Sequence, residues 1–450
     1  MSDVIVIGGG PAGSTAAALL AKRGYHVLLL ERDQFPRFQI GESLLPYNND
    51  LFDRLGIRDR LKAPASVPKF GAYFVTGDGA VGHTFRFGRH LPEKYARSYQ
   101  VTRAEFDDLL LRNAEACGVE VRERTQVVDV DLSDPSRAII RALDSEGRSS
   151  TLEARFVIDA SGHATAVARS LGARKEEASL RKIAIFAHYR NVENAAKGRD
   201  AGNTVIVVLP DCWFWMIPLA EGITSVGLVA NRETVIASGG APEKLLDAMI
   251  LRTPYVAGRM RQAERMGQVY ARKDFSYRVE GLVGPNYALA GDAAGFFDPI
   301  FSTGVFMAMK SADLAAAGAD VRLRTGSSKL LRHYERTMGI ALERYFAFIT
   351  RFYDREFLEV FLQPSLRFGL MPVVVGLLAG DVFDRRLDRW RIAMFLALTR
   401  IQKFRPVIAP RIAWDTLPRA SGSIASEEPF ARSRRAEKEV EGVVDRPLEV

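Results

Sequence analysis

The chain changes its hydrophobic period several times, and each change marks a predicted element. Residues 4–7 are an apolar run of strand length that ends in Gly8-Gly9-Gly10-Pro11-Ala12-Gly13, and the Ala/Leu-rich stretch 14–23 that follows predicts a helix. A second apolar run at 26–30 ends in Glu31. Strand, glycine turn, helix and strand in that order, with an acidic residue about 20 positions on, form a dinucleotide-binding fingerprint. Gly8 permits the tight turn, Gly10 lets backbone amides approach a pyrophosphate, and Gly13 lets helix and strand close up. Glu31 is placed to hold ribose hydroxyls, with Ala12 and Arg32 as neighbouring cofactor candidates.

Further along, a two-residue alternation replaces helical spacing. It runs through 70–87, where Thr76-Gly77-Asp78-Gly79 predicts a hairpin, and through 183–190, 204–209, 212–219 and 223–230. From about Tyr345 the pattern turns helical, with Phe346, Phe348, Phe352, Phe357 and Phe361 supplying an aromatic face. After Pro418 the composition shifts to Ser, Glu and Arg. The expected fold class is α/β: a discontinuous Rossmann-type domain over 1–67, 98–175 and 277–344, with an inserted, mainly antiparallel substrate sheet over 68–97 and 176–276. A C-terminal helical region at 345–418 and a disordered tail at 419–450 complete it.

At 450 residues, two or three lobes are expected. Two cysteines, Cys117 and Cys212, give neither a disulfide framework nor metal-ligand spacing, and Met1-Ser2-Asp3 runs straight into a strand, so the expected compartment is the cytoplasm. The net charge of +8 includes a late cluster of Arg385, Arg386, Arg389, Arg391, Arg400, Lys403, Arg405 and Arg411, with no nucleic-acid motif beside it. The apolar run 368–378 is short and interrupted by Pro372, whereas a membrane span needs about 20 apolar residues. A helix packed on the enzyme body is expected there instead.

Further segments resemble motifs of the aromatic-hydroxylase-type flavoproteins. Arg103, Phe106 and Asp107 are similar to R-x-x-F-D, in which the Arg contacts FAD. Val157-Ile158-Asp159-Ala160-Ser161-Gly162 resembles the second fingerprint, and Gly291-Asp292-Ala293 resembles the G-D-A motif whose Asp accepts from the ribityl chain. With the glycine turn these make four motifs in the expected order. The resemblance implies FAD, with Arg103, Asp159, Gly291 and Asp292 in its site.

Trp213-Phe214-Trp215-Met216-Ile217-Pro218 then narrows the family, because W-x-W-x-I-P resembles the signature of the flavin-dependent halogenases. Indoles at alternate strand positions project from one face. Trp213, Trp215 and Ile217 can therefore wall an organic substrate off from the flavin while halide passes. Gly41-Glu42-Ser43-Leu44-Leu45-Pro46 is similar to the family's G-E-S-x-x-P segment beside the flavin, and Lys69, in Pro68-Lys69-Phe70-Gly71, matches its active-site lysine. Asp298-Pro299-Ile300-Phe301-Ser302-Thr303-Gly304-Val305 resembles the loop that lies against the isoalloxazine and holds halide, here through Ser302, Thr303 and Gly304. The resemblance covers most of the first 400 residues.

The apolar stretch after Thr303 predicts a helix that Ser302 or Thr303 would cap, and its unpaired amides and dipole favour anions. Lys69 in a dry pocket has two roles open to it: an ammonium that hydrogen-bonds hypohalous acid, or a desolvated amine that is itself halogenated. Phe301 stands where tryptophan halogenases have Glu, which resembles the phenol and pyrrole halogenases and makes free tryptophan an unexpected substrate.

The resemblance implies a cycle in which FADH2 from a separate flavin reductase meets O2, and chloride or bromide attacks the resulting flavin hydroperoxide. The hypohalous acid then passes Trp213 and Trp215 to Lys69 and halogenates an electron-rich phenol or pyrrole in secondary metabolism. An acyl or peptidyl carrier protein is the partner to test. The rivals are a geranylgeranyl-reductase-like alkene reductase, which needs no halide, an aromatic hydroxylase, and a catalytically inactive FAD-binding homologue.

Overall fold

The computed structural model describes residues 1–421 apart from 63, 65, 178–179, 239–240, 274–275, 297, 364–369, 384–388 and 407. Buried Val, Ile and Leu make Ser2–Ile7 a strand that pairs in parallel with Val27–Leu30 on one side and Ser149–Asp159 on the other. Glu120–Arg122 and Tyr287–Leu289 extend the parallel set, and Arg137–Leu143 with Gln126–Asp134 add an antiparallel ribbon. The glycine turn opens the Pro11–Ala21 helix, which lies with Arg103–Ala116 and Gly304–Thr325 against this sheet. Such near-continuous apolar strands need cover on both faces.

The second sheet has seven strands in the order Glu264–Lys273, Lys182–Arg190, Thr224–Asn231, Cys212–Pro218, Thr204–Val208, Gly71–Thr76 and Gly82–Arg86. Every neighbouring pair is antiparallel except Thr204–Val208 with Gly71–Thr76. The expected alternating segments are thus its strands, and Thr76 to Gly79 does turn a hairpin.

Three boundaries differ from the sequence expectation. Val67–Lys69 joins Ser98–Gln100 in a two-stranded ribbon outside the large sheet, so Lys69 sits on a connector. The border expected at 344–345 falls inside one continuous helix, Lys329–Phe352, because its buried positions recur at helical spacing from Leu331 to Phe352. Residues 419–421 are docked, with the Ala420 and Ser421 amides donating to the Asp211 carboxylate, while 422–450 lie outside the described residues.

Helices Arg355–Leu362, Met371–Ala379 and Arg389–Phe404 complete the C-terminal region. The segment Val373 to Ala379 is buried against the body as expected, and no helix among the described residues is long and apolar enough to cross a membrane. Phe348, Phe352, Phe357 and Phe361 are buried too, and they carry this region onto Phe74 and Phe85 of the large sheet.

Candidate active site

The glycine turn is shaped by contacts that admit no side chain. A Cβ on Gly8, whose φ is +99°, would lie 2.4 Å from the Ala160 carbonyl oxygen, and one on Gly13 would lie 1.8 Å from that of Gly8. Gly10 by contrast faces open space up to Arg37 Nη2 at 3.6 Å, and the Pro11–Ala21 helix has no side-chain cap. Its first amides and dipole therefore remain available to a pyrophosphate. Glu31 is buried at the end of its strand and accepts from the Gly9 amide at 2.6 Å and the Asp33 amide at 2.8 Å. Burial pushes its carboxyl up, against the pull of those two amides.

Arg103 is buried with its guanidinium forked on Asp107 at 2.7 and 2.9 Å, while a third nitrogen donates to the Ile40 carbonyl. Gly41, at φ +103°, makes room for it: a Cβ there would stand 2.9 Å from Arg103 Nη1. Gly291 packs under Ala12, and the part-exposed Asp292 carboxylate lies 3.5 Å from His163 Nε2. These residues fit FAD: small residues where the dinucleotide would approach, uncapped amides for phosphate, carboxylates for hydroxyls. Of the two remaining sequence candidates, Asp159 is fully buried with its oxygens on the Ser161 and Val167 amides, and the Arg32 side chain is 63% exposed beside Asp33.

Lys69 is buried at 2% exposure and donates to Ser43 Oγ at 2.8 Å and the Leu44 carbonyl at 3.2 Å. Ser43 in turn meets Thr204 Oγ1 at 2.9 Å, which accepts from Gln100 Nε2 at 2.9 Å. The G-E-S segment, the ribbon and the large sheet are thus tied to one ammonium. No carboxylate of the described residues joins the chain of contacts, and burial brings the Lys69 amine down to about 7.

Glu42 is buried as well, with Oε1 2.8 Å from His188 Nε2 and Oε2 without a partner among the described residues. Burial opposes charge on the imidazole, but the Glu42 carboxylate outweighs it and holds His188 above its ordinary value.

Trp213 and Trp215 project from one face as expected, with ring centroids 5.9 Å apart and planes at 52°. Trp215 donates to Ser225 Oγ at 3.1 Å and lies over Gly227, where a Cβ would stand 2.2 Å from the indole. Trp213 donates to Tyr353 Oη at 3.1 Å, and Tyr353 donates to Asp298 Oδ2 at 2.7 Å. Burial raises Asp298 to about 6 despite Tyr353, the Ile300 amide and nearby Lys182, whose Nζ lies 3.6 Å above the Tyr353 ring. Wall, halide loop and C-terminal helices are joined through this buried network.

Ser225, Gly227 and Tyr353 escape motif reading because each serves a tryptophan from another element. A small residue opposite an indole in a cross-strand pair was the one signal available for Gly227.

The loop expected to hold halide departs from expectation in its cap. Helix Gly304–Thr325 begins after Thr303 with no side-chain cap from Ser302 or Thr303, and Ser302 adopts φ +56°. Neither side chain therefore occupies the first amides of the helix. They remain open to an anion, which suits a halide or reduced flavin. Phe301 is buried edge-on to Phe352 at 5.7 Å, so an aromatic contact fills the place of the missing carboxylate.

Fold and glycine turn define an FAD-binding protein, and the family model described as an FAD binding domain matches residues 1–341. The 1H-pyrrole-2-carbonyl-(peptidyl-carrier protein) chlorinase of Pseudomonas fluorescens is 30% identical over 410 residues, covering 86% of this chain and 91% of that protein. The corresponding brominase of Pseudoalteromonas luteoviolacea is 34% identical over 319 residues, covering 70% of this chain and 76% of the other. Among solved structures, the flavin-dependent brominase Bmp2 superposes with a TM-score of 0.79 at 30% identity, over 90% of this chain and 99% of that one. The chain belongs to the flavin-dependent halogenase family and is an enzyme of that type.

Proposed function

We propose that this enzyme halogenates an electron-rich phenol or pyrrole, presented on a carrier protein, within secondary metabolism in the reducing cytoplasm. The observation that carries the reading is Lys69: a buried amine with no acidic partner, brought to about 7 by burial and held on Ser43. A lysine in that state serves as hydrogen-bond donor or as nucleophile near neutral pH. A merely structural lysine would be paired or solvated.

FAD, delivered reduced by a separate reductase, supplies with O2 the oxidising power that makes a chloride or bromide electrophilic. Gly8, Gly10, Gly13 and Glu31 hold its adenine end, and Gly41, Arg103, Gly291 and Asp292 the rest. The open amides at Thr303 and Gly304 hold the halide. Trp213 and Trp215 keep an aromatic acceptor from the flavin, and Lys69 holds the small oxidant where the acceptor meets it. The buried rings of Phe74, Phe85, Phe301, Phe352 and Phe361 support this division, since they fill the space beneath the C-terminal helices with apolar surface. Absence of a carboxylate at Phe301 favours a ring that reacts without acid-base help. The carrier-tethered choice draws on the two pyrrole halogenase relatives.

Mass spectrometry of reactions with FADH2, O2 and either halide, run against free and carrier-bound pyrrole and phenol panels, tests the reading. A halogenated carrier-bound ring, lost in Lys69→Ala while flavin oxidation continues, is the expected result. Oxygen insertion, alkene reduction or flavin oxidation without product in every arm would overturn it.

A further inference from the structure

The Arg389–Phe404 helix is apolar on two opposite faces. Its inner face is accounted for. Phe395 stacks on Phe348 at 5.7 Å and meets Phe357 at 5.4 Å, and the buried Gln402 bonds Glu359 and the Ala409 backbone. A surface helix with that inner stripe ordinarily turns a polar face outward. Here the outward positions, spaced by three and four, are Trp390, Ala393, Ala397, Ile401 and Phe404. Trp390 is 58% exposed, Ile401 46% and Phe404 81%, so one helix carries three of the nine exposed large hydrophobic residues among the described residues.

Single exposed apolar residues are ordinary, but a stripe of them marks an interaction surface. Arg400, Lys403 and Arg405 flank it, and none forms an ion pair with a described residue. Arg385 and Arg386 lie outside the described residues, and Arg411 is engaged by Glu359 at 3.1 Å. Aromatic and aliphatic anchors beside cations that form no ion pair among the described residues match an acidic, helical partner, whose charge would speed encounter and whose apolar side chains would cover the stripe.

The carrier-tethered reading selects which acidic partner, and the face adjoins an open pocket. Arg411, which donates to the Lys403 carbonyl, lines a surface pocket of about 400 Å³ together with Arg355, Glu359 and Trp414. Arg355 and Trp414 also line a small internal cavity of about 20 Å³ beside Trp213 and Tyr353. Lys403, next to Phe404 in the helix, thus ties the stripe to the rim of the outer pocket through Arg411.

We propose that the outward face of the Arg389–Phe404 helix is the docking surface for an acidic carrier domain that delivers its aromatic acyl group on a thioester arm. The inference rests on the carrier-tethered reading above. The test compares kcat/KM for one aromatic acyl group on a carrier and as its pantetheine thioester, in the wild type, in Phe404→Ser and in the triple charge reversal of Arg400, Lys403 and Arg405 to Glu. The wild type is expected to prefer the carrier. Both variants should lose about tenfold or more on the carrier, mostly through KM, with salt dependence flattened in the charge reversal and the pantetheine substrate unaffected.

A wild type with no preference for the carrier would sink the carrier reading itself. Retained preference in both variants would sink only the docking surface. Loss on both substrates alike would show damage to the enzyme body and also overturn it. So would a stripe occupied by a second copy, seen as a dimer that Phe404→Ser dissociates without changing carrier turnover.

Discussion

Replacing Lys69 with Met should make the protein more stable while abolishing halogenation. The side chain is 2% exposed and its amine is brought from 10.5 to about 7 by burial. Each tenfold of that depression is worth about 1.4 kcal/mol, so holding the residue inside costs the folded chain about 5 kcal/mol at a pH well below 7. Between 7 and 10.5 the unfolded chain binds the extra proton, so wild-type stability rises with pH through that window and the cost vanishes above it. Methionine fits a similar shape and removes the charge. Ser43 keeps Thr204 as a partner, whereas the Leu44 carbonyl loses its donor at a cost of about 1–2 kcal/mol. The net gain near neutral pH is about 3 kcal/mol, or about 3 °C in Tm for a chain of 450 residues. Denaturation of wild type and Lys69→Met at pH 6.5 and pH 10, alongside product analysis, measures it. A variant that unfolds more easily at pH 6.5, or a difference that does not shrink by pH 10, would refute the idea that the amine is held at an energetic cost.

The remaining predictions concern the wall and the halide loop. Gly227→Ala puts a Cβ 2.2 Å from the Trp215 indole and must tilt it, costing about 1–3 kcal/mol; halogenation should fall while peroxide release rises, measured as coupling of flavin oxidation to product. Tyr353→Phe leaves the Trp213 N–H without its acceptor and Asp298 without its hydroxyl donor, so stability should drop by about 2 kcal/mol in a denaturant titration. An unchanged midpoint would mean that water replaces the hydroxyl. Ser302→Asp sets a carboxylate before an uncapped helix, and should raise the KM for halide about tenfold through repulsion while FAD absorbance is retained.

Amino-acid order alone determined the local elements and the cofactor. The glycine turn, the hairpin and the alternating strands are dictated by steric permissiveness and by the period of burial, which are properties of neighbouring residues. Their positions could be read because Gly8, Gly13 and the apolar runs 4–7 and 26–30 admit few other conformations. The W-x-W spacing likewise fixed that both indoles share a face. Where Lys69 stands energetically was not legible, since desolvation depends on Phe87, Ser43, Thr204 and other residues far away in the chain.

The same holds for Tyr353, brought to Trp213 across 140 positions, and for Ser302, whose left-handed turn left the helix uncapped where a side-chain cap was expected. For Asp159 the motif position was clear, but only the fold showed both carboxylate oxygens engaged by the chain's own amides. Short-range sterics and periodicity act between neighbours and are written in the sequence. Burial, charge state and partnership are set by groups that only folding brings together, and tertiary structure alone decided them.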